Sequence, residues 1–176
     1  MEANVDLEFV GITPNTPTDE SPTIWRDAYM LDDPEFIAWK GGKRLDQADR
    51  ATWWNSWHDV VAEAVGRGVV VRRARIVSEP ISDYVRYEYD GTFANVAAGE
   101  QVRWLPRRNT VGLALPGTDF WVFDGETVLL HHFTGEGQLD QDGREYLTDP
   151  ALAGLCGSAF EAVWDRAVPH EDYRPR

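Results

Sequence analysis

Cysteine is almost missing from this chain: Cys156 is the only one in 176 residues. No internal disulfide can form and no cysteine-rich metal site exists, which suits a reducing cytoplasm. Long apolar runs are missing too, since no segment approaches the ~18 residues that a bilayer span needs. The opening residues, MEANVDLEFVG, have neither a positive n-region nor a long apolar h-region, so no secretory signal is expected. Positive charge is scarce: 17 Lys and Arg stand against 30 Asp and Glu, a net charge of −13. Such a balance disfavours non-specific contact with nucleic acid or an anionic membrane, while permitting a basic partner or DNA mimicry. Familiar catalytic signatures are also lacking. There is no GxSxG, no GxxxxGK[ST] and no GxGxxG after a strand, and no cofactor or metal is expected. The acidic stretch Asp140–Glu145, DQDGRE, has the composition of a calcium loop, but the twelve-residue spacing fails.

What is present suits one domain of ordinary size with a substantial core, at 43% hydrophobic residues and 8 Trp. Residues 1–22 read as an extended arm, in which Val5 to Ile12 offers an edge strand, and 23–173 as a single domain. Thr23 to Met30 reads as a strand. Pro34 then opens a short helix that breaks at Gly41-Gly42. Asp49 to Val65 reads as a helix whose apolar face carries Trp53, Trp57, Val60, Val61 and Ala64. Val69 to Val77 follows as a β-branched strand, then a helix from Ile81 to about Tyr89, a turn over Asn95–Glu100 and a second strand from Gln101 to Leu105. A strand–helix–strand step of this kind predicts a parallel pair. Asp124-Gly125 predicts a hairpin turn between strands at Asp119–Phe123 and Thr127–Phe133, with a third strand near Arg144–Leu147. Asp149 caps a last helix that starts at Pro150. Its stripe is Leu152, Leu155, Cys156, Ala159, Phe160, Val163 and Trp164, and Pro169 ends it. The pattern is α/β: a mixed sheet flanked by helices on both faces.

Basic charge is concentrated in one island. From Arg67 to Arg108 there are 8 basic and 5 acidic residues, +3, against 9 and 25, −16, in the rest. Arginine forks suit phosphate and carboxylate. The candidate ligand-binding set is therefore Arg72, Arg75, Arg103 and Arg107, on or beside neighbouring strands, with Tyr84, Arg86 and Glu88 on the helix between them. The plain alternative is that these arginines pair with local acids such as Glu79, Asp83 and Glu88. His131 and His132 are adjacent on a strand and point to opposite faces, so they cannot share one metal without a bulge. His58 lies after Trp57 without an HExxH spacing, and Cys156 reads as a buried structural thiol. The Trp cluster at 53, 54 and 57 reads mostly as core, with Trp54 at the surface and an aromatic ligand platform as the lesser reading.

The segments RRARIVSEPISDYVRYE, ANVAAGEQVRWLPRR, DFWVFD and WDRAVPHEDY resemble an actinobacterial family of unknown function, over about Ala51 to Tyr173. Its members are often encoded beside helix-turn-helix regulators, so the resemblance implies a protein partner of that type. More distantly, the element order is similar to phospholipase D-like modules, in particular the degenerate ones attached to bacterial transcription regulators. That likeness implies a phospholipase D-like half. Active members carry a His-x-Lys pair ahead of an Asp. If Asp124 is that Asp, Gly117 and Asp119 fill the His and Lys positions, and this cleavage mechanism is excluded. The leading expectation is thus a cytoplasmic, non-catalytic binding or regulatory module, working with a DNA-binding regulator or a small anionic ligand. The alternatives are a hydrolase using Asp124 or Glu88 with His131, and an acidic partner-neutralising protein.

Overall fold

A computed structural model describes residues 31–135 and 139–176, and the backbone of Ile12–Thr13. The expected strand at 23–30 and most of the N-terminal arm lie outside the described residues. The strand pair within the basic island forms as the sequence predicts. β2 (Arg72–Val77) and β3 (Gln101–Pro106) run parallel, with Arg72 opposite Gln101 and Val77 opposite Pro106. Ile12–Thr13, β1, adds a parallel edge beside Ala74 and Arg75. The short β7 (Val168–Pro169) closes the other side antiparallel, opposite Trp104 and Arg103.

The hairpin also forms at its expected residues. β4 (Asp119–Phe123) and β5 (Thr127–Phe133) pair antiparallel through a turn in which Asp124 has φ 53° and Gly125 φ 68°. Both central residues take the left-handed region, as an Asp-Gly turn of this hand requires. β6 (Leu139–Thr148) completes a separate antiparallel sheet. The single mixed sheet expected from the sequence is therefore two sheets, one mixed and one antiparallel. β6 is also longer than the predicted Arg144–Leu147, because its first half, LDQDG, is polar and largely exposed and carries no alternation to read. Gly143 lies buried there, and a Cβ on it would sit 2.4 Å from the His132 carbonyl oxygen, beside the register shift between His131 and Phe133.

Four helices are described. α1 (Pro34–Lys40) is capped by Asp33, whose carboxylate accepts from the Glu35 N–H at 2.8 Å. The helix expected from Asp49 begins later. Asp49 caps only a 3₁₀ turn at Arg50–Thr52, and α2 runs from Ser56 to Gly66 behind an Asn55 cap. The predicted face shifts accordingly: Val60 is 55% exposed, while His58, Val61 and Ala64 are buried. α3 (Asp83–Ala97) starts at a Ser82 cap and continues through Asp90-Gly91, well past Tyr89, into the expected turn. α4 (Pro150–Trp164) has the predicted Asp149 cap, bonded to the N–H groups of Ala151 and Leu152 at 2.8 and 3.1 Å.

α4 joins the two sheets. Ala153, Cys156, Phe160, Val163 and Trp164 pack with Ala74, Ile76 and Leu105 of the first sheet and with Phe120, Val122 and Val128 of the second. Burial pushes the Cys156 thiol up to about 11, so it stays a neutral, inert core group. The opposite face of β2 and β3 carries a second cluster, Val77, Val85, Val102, Trp104 and Tyr173, under α3. A third, Val61, Ala64, Val69, Val71 and Ala98, lies under α2. One member of the predicted α4 stripe is misplaced. Leu155 is 57% exposed, and Ala153 takes the buried position instead. Phe160→Ala should therefore cost about 3–5 kcal/mol in denaturant unfolding, whereas Leu155→Ala should stay within about 0.5 kcal/mol of wild type.

Candidate functional site

Alternation along β2 sorts its arginines. Ala74 and Ile76 point into the α4 core, and Arg72 shares their side, where its guanidinium lies 4.7 Å from the Phe160 ring centroid and pairs with Glu161 at 2.5 Å. Arg103, opposite Ala74 on β3, lies 4.3 Å from the Trp164 ring and donates to the Trp164 carbonyl at 3.0 Å. Arg107 donates to the Ser78 hydroxyl at 3.1 Å beyond the strand ends. Arg86 is half-buried on α3, and its charge acts on the Tyr173 phenol. Arg75 projects to the other face, over Trp104 at 5.4 Å, and forms an ion pair with Glu88. The Tyr84 hydroxyl donates to the same carboxylate at 3.2 Å. The structure thus gathers Arg75, Tyr84 and Glu88 and places Arg72, Arg103 and Arg107 elsewhere; the local pairing considered for the island applies to several of them.

Arg73 and Arg75 form the floor of a cleft of about 1070 Å³. Trp53, Trp54, Asn55, Trp57 and His58 wall one side, at and before the start of α2. Tyr87, Glu88, Gly91 and Asn95 of α3 wall another. The second sheet supplies Trp121, Phe123, Leu129, His131, Arg144 and Tyr146. Both expected partners in a hydrolytic pair, Glu88 and His131, line this space. Asp124 does not: it is exposed at the hairpin tip. Glu88 already commits both oxygens, one to Arg75 and one to Tyr84.

The floor is neutralised from beneath. Glu100 is 2% exposed, pairs with the Arg73 Nε and accepts from Asn95 Nδ2 at 2.8 Å. Burial pushes its carboxyl up, but the charge and hydrogen bond of Arg73 and the Asn95 bond outweigh that, leaving it below the usual carboxylate range. The Arg73 guanidinium lies 4.8 Å from the Trp121 ring and 5.7 Å from the Trp57 ring. At the wall, Trp54 Nε1 donates to Asp59 at 2.7 Å, and Arg50 stacks 3.5 Å from its ring centroid. Arg144 differs from the floor arginines: it is exposed on β6 and no described carboxylate pairs with it.

The two histidines of the cleft are held neutral. His58 is buried, and its Nδ1 accepts from the Asn55 N–H at 3.1 Å, which places the ring proton on Nε2. Burial lowers its pKa against the opposing pull of Glu100 and Asp59. For His131 burial acts first, and the charges of Arg144 and Arg73 push the same way. His132 is exposed on the other face, 3.0 Å from Glu145 Oε2. Among the described residues no cluster of three metal-ligating side chains occurs, and no helix is long and apolar enough to cross a membrane.

Sequence reasoning assigned the tryptophans mainly to the core, counted Arg73 in the basic island but left it out of the candidate ligand-binding set, and passed over Asn95, Trp121 and Arg144. The alternation of β2 already put Arg73 on the face of Arg75. Nothing in DQDGRE marked Arg144 as facing the same space, because that depends on the unread first half of β6.

An α/β domain with an aromatic, arginine-floored cleft is the class that fold and site define. A family model described as a domain of unknown function, DUF6879, matches residues 25–175, and the chain belongs to that family. The match extends beyond the Ala51–Tyr173 span read from the motifs. Comparison with curated proteins finds no match, and comparison with solved structures finds none.

Glu100→Ala would leave the Arg73 guanidinium uncompensated, and unfolding experiments should show a loss of about 3–5 kcal/mol. The histidines give a separate signature. Burial lowers the pKa of His58, His131 and His170 in the folded chain below the ordinary histidine value of 6.5. Below that pH the unfolded chain binds more protons than the folded one, so stability is greatest above it and falls as pH drops. Unfolding free energy measured from pH about 7 to 5 should decline, and more shallowly in His58→Gln.

Proposed function

We propose that this domain is a non-catalytic binding module of the cytoplasm. Its ligand combines a flat aromatic ring with negative charge, and binding is relayed to a DNA-binding regulator of the helix-turn-helix type. Arg144 carries this reading. It is an exposed guanidinium without a described carboxylate partner, at a cleft whose other cations are already paired. Arginine recognises phosphate and carboxylate with a planar fork. The indole rings that line the same cleft suit a stacked ring, a contact of ~1–3 kcal/mol for a nucleobase. The size supports a small molecule, since ligand sites commonly enclose roughly 300–1,000 Å³.

The absence of catalysis in this reading rests on the paired state of Glu88 and on the likeness to degenerate phospholipase D-like modules. In that comparison Gly117 and Asp119 stand where active members carry His and Lys. The resemblance to proteins encoded beside helix-turn-helix regulators supplies the partner class.

A thermal-shift screen against nucleotides, phosphosugars and common anions tests the ligand. A compound bound only by the folded state raises the melting temperature by mass action. Mononucleotides should give the largest rise. Arg144→Ala should weaken their binding by about 1–3 kcal/mol without changing the melting temperature of the free protein. Arg103→Ala should do the reverse, lowering that temperature and leaving binding intact. No shift with any compound, or binding indifferent to Arg144→Ala, would refute the ligand assignment.

A further inference from the structure

A second, smaller chamber of about 380 Å³ adjoins the cleft, between α1 with its following loop and α3. Where the larger cleft carries an excess of arginine, the lining of this chamber balances charge, Glu35 and Asp90 with Lys43 and Arg44. Four aromatic rings, Trp39, Tyr87, Tyr89 and Phe93, line it together with the carboxylate of Asp90. Asp90 accepts one hydrogen bond, from Trp39 Nε1 at 2.9 Å, and no described cation pairs with it. The other carboxylate at the chamber, Glu35, is taken by Lys43 at 2.7 Å. The chain already seats a cation on this wall. The Arg44 guanidinium lies 4.6 Å from the Trp39 ring centroid, anchored only by backbone carbonyls, those of Trp39 and Lys43 at 2.7 and 2.8 Å. His170 also lines the chamber, and its Nδ1 accepts from Trp104 Nε1 at 3.1 Å, so it presents a neutral ring.

We propose that this chamber binds a small organic ammonium ion, held by the faces of Tyr89, Phe93 and Tyr87 and by the charge of Asp90. Aromatic faces attract alkylated ammonium groups through the ring quadrupole, most strongly where water is excluded. A carboxylate with only a neutral hydrogen-bond donor completes the recognition of a cation. The net charge of −13 adds a favourable long-range field for such a ligand. The features that point to a cation here do not rest on the anionic ligand proposed for the larger cleft, although the two compartments share lining residues.

Choline is the probe, with dimethylbutanol, in which a carbon replaces the quaternary nitrogen, as its uncharged isostere. Isothermal titration of the full chain should show choline binding about tenfold more tightly than the isostere. Asp90→Asn keeps an acceptor for the Trp39 indole and removes the charge. It should weaken choline about fivefold or more while leaving dimethylbutanol unchanged. Arg144→Ala should leave choline binding as it is, which separates this site from the larger cleft. Choline binding no better than its isostere, no choline binding, or equal choline affinity in Asp90→Asn would each overturn the proposal.

Discussion

A single strand sets the constraints on this domain. β2 lies inside its sheet, covered on both faces, and its alternation gives one face to Ala74 and Ile76 and the other to Arg73 and Arg75. Burying guanidinium groups is costly unless charge and hydrogen bonds compensate them. Glu100 and Glu88 do so from the two ends of the crossover helix region: Glu88 sits within α3, and Glu100 follows it, at the entry to β3. The β2–α3–β3 unit is thus fixed twice, by parallel pairing and by two charge pairs that tie α3 and its exit to the strand. Apolar contact alone would not choose this register so firmly.

The cleft is a consequence of that arrangement. Large aromatic groups surround the arginines because flat apolar rings can pack against guanidinium planes without demanding more hydrogen bonds. Arg73 lies near Trp57 and Trp121, which come from different parts of the fold. The Trp-rich segment before α2 is therefore a wall, and His58 closes its end by accepting from the Asn55 backbone, an N-cap that uses an imidazole where Glu or Gln is more usual.

Much of this architecture was legible in the sequence because its signals are local. Asp124-Gly125 dictates its own turn, Asp149-Pro150 its own helix start, and the β-branched run before Ser78 its own strand. The departures have equally physical causes. Asp49 is a good cap, but Asn55 is another six residues on, and the tryptophans between them are used as cleft wall, outside any α-helical turn. The helix expected to end near Tyr89 continues as α3 through Asp90-Gly91 because Thr92 and Ala94 beyond are buried. Separation into two sheets could not be read at all. It follows from α4 bridging both with one stripe, and a stripe records which residues are buried but not what they are buried against. The site was legible only as a local excess of arginine, since which of them meet depends on strand parity and on β6.

Gly91 lies in the middle of α3 with nothing within 4 Å of where a Cβ would stand, and it borders both the cleft and the smaller chamber. A helix interior with glycine gives up roughly 0.5–1 kcal/mol relative to alanine. The space gained lies on a shared partition, together with Tyr87 and the Glu35–Lys43 pair. Two compartments that share lining residues are not independent in shape: a ligand that displaces Tyr87 in one changes the volume of the other. The shape of one compartment is then coupled to that of the other through residues they share, Tyr87 and Gly91 of α3 among them.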